Sequence, residues 1–137
     1  MILTAAAAQA QMHKIPAAVT EAFKARYPHA EKVTWKDEIT CFEAQFTLNS
    51  FAMTADFSSK GQWQNSEKKI QFNDLPVAVN DGFKKGKYAD WKIVSVVEID
   101  KNSESLQYRI EVKKNGFQKK YLFLNTNGKL IRDTETI

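Results

Sequence analysis

Cysteine is nearly absent from this 137-residue chain: Cys41 stands alone, so no disulfide can staple the fold from within. Histidine is almost as scarce, with only His13 and His29. Neither has a second histidine or cysteine at the spacing a zinc site requires. Without a base nearby, Cys41 reads as a half-buried structural thiol within a strand-like run rather than a nucleophile. The five glycines form no phosphate-cradling loop, and no apolar run approaches the roughly 20 residues of a membrane span. These absences leave no cofactor, no metal site and no catalytic residue to assign. Excess charge of one sign is also missing. Twenty Lys and Arg face sixteen Asp and Glu, the two signs are interspersed, and the densest basic cluster is Lys84, Lys85 and Lys87. A nucleic-acid module would show a basic stripe with aromatics placed to stack bases, so no nucleic-acid partner is indicated. The adjacent carboxylates Asp37 and Glu38 fall where a turn is expected and read as solvated.

What is present is ordinary globular composition, 43% hydrophobic and 26% charged, enough for one compact domain without staples. The opening Met1–Gln11 is rich in alanine. Ala8 and Ala10 stand at the −3 and −1 positions of an A-x-A cleavage site, so residues 1–10 read as the remnant of a signal peptide and the mature chain is expected to begin at about Gln11.

An internal repeat organises the remainder. Ile15-Pro16-Ala17-Ala18-Val19 with Phe23-Lys24 recurs as Leu75-Pro76-Val77-Ala78-Val79 with Phe83-Lys84. Phe42–Phe46 parallels Tyr108–Val112, and the turn Phe57–Trp63 parallels Leu124–Leu130. Each copy opens with a helix, proline standing near its first position. Val19, Ala22, Phe23 and Tyr27 form the first apolar stripe, which Pro28 ends; Val79 and Phe83 hold the second, with Gly86 as its cap.

After each helix the apolar period becomes two. Val33 and Trp35 mark one strand, Phe42–Leu48 and Phe51–Phe57 a hairpin turned at Asn49-Ser50, and a fourth strand begins near Trp63. In the second copy Trp91, Ile93, Val97 and Ile99 mark a strand, Leu106–Val112 another, Tyr121 and Phe123 a third, and Leu130 a fourth. Asn115-Gly116 signals a two-residue hairpin. The parity of Trp35, Trp63 and Trp91 matches apolar neighbours, so all three are assigned to the core. The expected fold is α+β: two tandem helix-plus-antiparallel-sheet repeats, residues 11–72 and 73–137, forming one sheet of about eight strands with helices on one face. The other face is expected to be polar and to carry Glu43, Gln45, Arg109, Glu111 and Lys113.

The string Tyr27-Pro28-His29-Ala30-Glu31-Lys32-Val33-Thr34-Trp35, then Phe42–Phe46, the Phe57–Trp63 turn, Ser66-Glu67 and Leu75–Val79 resemble the PepSY-like family. These are small exported proteins of Bacteroidetes, similar in fold to β-lactamase inhibitory protein. The family turn usually carries an aspartate where this chain has Ser58. The resemblance implies a periplasmic or secreted, non-catalytic binding or inhibitory module. Its expected partner is a protein or peptide of the envelope, met through Glu43, Gln45, Arg109, Glu111 and Lys113. The alternatives are a structural or envelope-stress protein with no fixed partner and, with least support, a hydrolase.

Overall fold

Helix α1 spans Ala17–Arg26. The Pro16 carbonyl accepts the N–H groups of Val19 and Thr20 at 2.9 and 3.1 Å, and proline has no N–H of its own to leave unpaired there. A computed structural model describes residues 14–136; the proposed signal-peptide remnant and His13 lie outside them. Four strands follow, β1 (Glu31–Asp37), β2 (Phe42–Leu48), β3 (Phe51–Phe57) and β4 (Trp63–Ile70), then a 3-10 turn at Phe72–Asp74. Helix α2 (Val77–Lys84) leads into β5 (Lys92–Lys101), β6 (Gln107–Lys114), β7 (Gln118–Asn125) and β8 (Leu130–Glu135). All eight strands form one antiparallel sheet in the order β1 to β8, each beside its sequence neighbour.

Both helices lie on the same face. Cross-strand partners share a face, and the chain Ala44↔Ala55↔Ser66↔Asp100 crosses β2 to β5, where Glu98, two residues along, pairs with Tyr108. Under α1, Val19 and Phe23 bury Ala44, Phe46, Ala55 and Phe57; under α2, Val79 and Phe83 bury Val96, Tyr108, Ile110, Val112, Leu122 and Leu124. Trp35, Trp63 and Trp91 are half-buried against these two clusters, as core residues.

Two sharp turns tie the sheet to the helices. At Ser58–Gln62 the Ser58 Oγ accepts the N–H groups of Lys60 and Gln62. At Asn125–Lys129 the Asn125 Oδ1 accepts those of Asn127 and Lys129. Gly61 and Gly128 take φ of 85° and 84°. A Cβ on the first would run into the Ala18 carbonyl, and one on the second into that of Ala78, so only glycine fits. Ser58 therefore performs a turn-capping role despite its departure from aspartate.

Several expectations need correction. Cys41 sits one residue before β2 rather than inside a strand. Val33 is exposed because a bulge between Glu31 and Thr34 displaces it from the ladder. A second bulge between Ile93 and Ser95 reverses the parity of β5, so Val96 points to the helices while Val97 and Ile99 point away. In β7 the deciding feature is the β6–β7 loop. A two-residue turn at Asn115-Gly116 would pair Ile110 with Tyr121 and turn Tyr121 and Phe123 inward. The loop instead holds three residues, with Lys114 opposite Gln118 and Ile110 opposite Leu122. One residue of register moves every side chain of a strand to the other face. Leu122 and Leu124 enter the core, and Tyr121 and Phe123 join the face expected to be polar.

Candidate binding face

The sheet face away from the helices is uncovered by any element among the described residues. Its side chains form rows across the strands. One row runs Gln45–Thr54–Glu67–Ile99–Gln107 and the next Lys69–Val97–Arg109–Phe123–Arg132, from β4 to β8. All five residues expected on this face are on it. They do not form one site. Glu43 and Gln45 lie on β2, whereas Arg109, Glu111 and Lys113 lie on β6, four strand spacings or about 19 Å away.

The β6 group is the more structured. From β6, Arg109 reaches across β5 to Glu67 on β4, donating from both terminal nitrogens at 3.1 and 2.8 Å. Its bonds to Glu67 are the chief reason its guanidinium is held charged above its ordinary range. This fork lies over the β5 positions Val97 and Ile99, which explains why Ile99 is only 4% exposed on the open face. The Arg109 guanidinium is 5.5 Å from the Tyr121 ring centroid, and that of Arg132 is 4.0 Å from Phe123, both within cation–π range. Glu111 accepts from Ser95 at 3.2 Å.

The β2 group is acidic. Gln45 donates to Glu43 at 3.3 Å, and Glu43 stands opposite Asp56 on β3. Asn65 donates to one Asp56 oxygen, while the other is buried without a hydrogen-bond partner among the described residues. Burial first, and the nearby Glu43 carboxylate second, push the Asp56 carboxyl up to about 6. A shallow depression of about 310 Å³, lined in part by Gln45, Thr54, Glu67 and Val97, lies between the two groups.

Glu67, Asp56, Val97, Ile99, Tyr121, Phe123 and Arg132 were missed as members of this face. Glu67 and Asp56 were legible from the parity of β3 and β4. The others depended on the β5 bulge, on loop length and on the β8 register. The chemistry otherwise stays sparse: among the described residues no three His, Cys, Asp or Glu side chains group as metal ligands. The Cys41 thiol is pushed up by burial and then by Asp56, Glu38 and Glu43, which disfavours the thiolate a nucleophile needs. No helix of the described residues is long and apolar enough to cross a membrane.

Residues 40–132 match the family model of β-lactamase-inhibitor-like, PepSY-like proteins. Among solved structures, a DUF2874 family protein from Bacteroides ovatus superposes with a TM-score of 0.86 at 26% identity, over 90% of this chain and 89% of its own. A BLIP-like protein from Bacteroides fragilis gives 0.86 at 22% identity, over 93% and 91%. A protein from Bacteroides eggerthii described as periplasmic gives 0.84 at 22% identity, over 90% of each chain. A comparison with curated proteins finds no match.

Proposed function

Because the chain belongs to the PepSY-like, β-lactamase-inhibitor-like family, we propose that it is an exported, non-catalytic module that binds a protein or peptide on its open sheet face. One observation carries this reading: the Arg109–Glu67 fork over Val97 and Ile99, flanked by Tyr121, Phe123 and Arg132, on a broad surface that no part of the described chain covers. Arginine and aromatic side chains over a desolvated apolar floor are the usual anchors of protein interfaces. A shallow mixed-charge surface suits a macromolecular partner better than a small molecule held in a deep pocket. Arg109, Glu111 and Lys113 belong to the anchor region, and Glu43 and Gln45 to an acidic flank that sets orientation. Export is supported by Ala8 and Ala10 and by the periplasmic description of the Bacteroides eggerthii neighbour.

We also read residues 11–72 and 73–137 as two copies of one unit. Pro16 and Pro76, Val19 and Val79, Phe23 and Phe83, and the Gly61 and Gly128 turns occupy corresponding places. The bulges correspond too, in the first strand and again between the third and fourth strands of each half.

The test is capture from the native envelope fraction with wild type, Tyr121→Ala and, as a control on the helical side, Val77→Lys, a position 78% exposed. A partner retained by wild type and V77K and weakened about tenfold or more by Y121A is the expected result, in the range of an interface anchor. Equal retention by all three, or no retained partner, would count against the open face.

A further inference from the structure

The helical side of the sheet is apolar under α1 and under α2, but not between them. Beyond the Ile70↔Val96 pair, which joins the core under α2, β4 and β5 present to that side Ser66, Lys68, Glu98 and Asp100, opposite one another as Ser66↔Asp100 and Lys68↔Glu98. They floor a cleft of about 360 Å³, walled by Arg26 and Tyr27 at the end of α1 and by Leu48, Phe51 and Met53 of the β2–β3 hairpin. The pocket is within the size range of small-ligand sites and has both polar and apolar linings.

The charges in this cleft are incompletely satisfied. Lys68 and Glu98 approach only to 3.9 Å, and the Lys68 ammonium also sits 4.7 Å from the Phe51 ring centroid. Asp100 makes no hydrogen bond or ion pair among the described residues. Arg26 is held in place, stacked 3.5 Å from the Trp63 ring centroid and bonded through Nε to the Tyr27 hydroxyl, yet meets no carboxylate among the described residues. Ser66 is the one buried polar residue of the described chain, and its hydroxyl is already engaged by Tyr27 and by Trp63 Nε1. It braces the wall and is not free for a ligand.

A simple anion entering here would meet Asp100 and Glu98, and a simple cation would meet Arg26 and Lys68. A neutral apolar molecule would strip water from four charges without replacing it. A ligand bearing both signs at one end and an apolar body at the other avoids all three penalties. We propose that this cleft binds a short peptide with free termini, its ammonium group on Asp100, its carboxylate toward Arg26 and an apolar side chain against Leu48, Phe51 and Met53. This site is separate from the open face, on the opposite side of the sheet.

The probe is the tripeptide Ala-Leu-Ala with free termini, titrated into ¹⁵N-labelled protein beside its N-acetylated and C-amidated forms. Saturable shifts at the amides of Ser66, Lys68, Glu98 and Asp100 are expected at millimolar peptide, with affinity lowered about tenfold by N-acetylation, since the charge-assisted bond to Asp100 is lost. Asp100→Asn, nearly isosteric, should weaken the free peptide by a similar factor and leave the acetylated form unchanged. Arg26→Gln should weaken the free form more than the C-amidated one. No shift up to about 10 mM, weaker than any useful affinity, would overturn the proposal. So would shifts confined to the open face, or equal binding of free and acetylated peptide.

Discussion

The two halves of the sheet each pack a helix on their inner face, but with different side chains. Under α1 the core is aromatic with small spacers: Phe23 packs on Tyr27, Trp35, Phe46 and Phe57 with centroids 5.0 to 6.1 Å apart, and Ala44 and Ala55 make room. Under α2 the positions that the proposed repeat aligns with these are aliphatic, Ile110 and Leu122 for the alanines, Val112 and Leu124 for Phe46 and Phe57. Large beside small in one half becomes medium beside medium in the other. Total volume and patterning constrain a core more than the identity at any one position does. A polar tie from the chain beyond each helix to the sheet also differs between the halves: Tyr27 bonds to Ser66 on β4, whereas Tyr88 accepts from the Lys120 ammonium on β7 at 3.2 Å, which also bonds Asp133 on β8.

The sharpest way to break this parallel is to truncate the central phenylalanines, buried to 4% and 5% exposure. Phe23→Ala should cost about 4 to 5 kcal/mol and Phe83→Ala about 3 to 4, because Phe23 is ringed by aromatics and Phe83 meets Phe72 alone among the rings of the described residues. Urea melts decide it; losses under about 1 kcal/mol for both would mean that the helices are not packed as described.

A smaller effect distinguishes how closely each helix approaches its turn. The first helix has Ala22 where the second has Gly82, and a Cβ on Gly82 would run into the Gly128 carbonyl. Gly82→Ala should therefore destabilise by about 2 to 3 kcal/mol, reversing the gain of about 1 kcal/mol expected for glycine to alanine within a helix. Thermal melts of G82A giving a stabilised protein would refute the close approach.

The halves also respond to pH in opposite directions. Asp56, raised to about 6, binds its proton more tightly folded than unfolded, so its contribution improves as pH falls from about 6 towards 4. Asp133 is lowered: burial pushes it up, but the bonds from Tyr88 and Lys120 outweigh that. Its contribution is present above its unfolded value near 3.8 and is lost as pH falls. Asp56→Asn should stabilise by about 1 kcal/mol at pH 7, after discounting the shift for partial exposure. The gain should vanish near pH 4. Asp133→Asn should destabilise at pH 7 and still at pH 4, its cost fading only as the pH falls below about 3.8, and denaturation at about pH 7, 4 and below 3 checks both.

The smallest effect lies in the turns. Ser58→Ala removes two acceptor contacts and should cost about 0.5 kcal/mol, Asn125→Ala about 1 because its bonds of 2.9 and 3.0 Å are shorter. Ser58→Asp should be neutral or better. A thermal shift ordering these three differently would show that the two turns are not capped alike.

Much of this was legible in the sequence. The helices, the proline starts, the Asn49-Ser50 hairpin and the strand count follow from period and turn chemistry, because Phe42–Phe57 alternates cleanly and both Asn49 and Ser50 adopt positive φ. The second half was less legible where both parities are apolar. Tyr121-Leu122-Phe123-Leu124 and Ile93-Val94-Ser95-Val96-Val97 offer no contrast for a period of two to detect, and the choice falls to one loop residue and one bulge. Those are the segments that place Val97, Ile99, Tyr121 and Phe123 on the open face. Its polar members were found from β2 and β6, whose alternation is unambiguous, and its apolar members were not.

The order of the strands has a kinetic consequence. Since every strand pairs with its neighbours in sequence, no pairing waits for a distant segment to arrive, and the entropy of closing each loop is small. A β-rich chain with so local a map should fold faster than sandwiches of similar length whose strands cross between sheets. Among the described residues the one ladder joining the two halves is β4 with β5, from Asn65–Lys101 to Ile70–Val96. A chain cut at the exposed residues Asn73 and Asp74 would keep every hairpin intact and have a single zipper left to close.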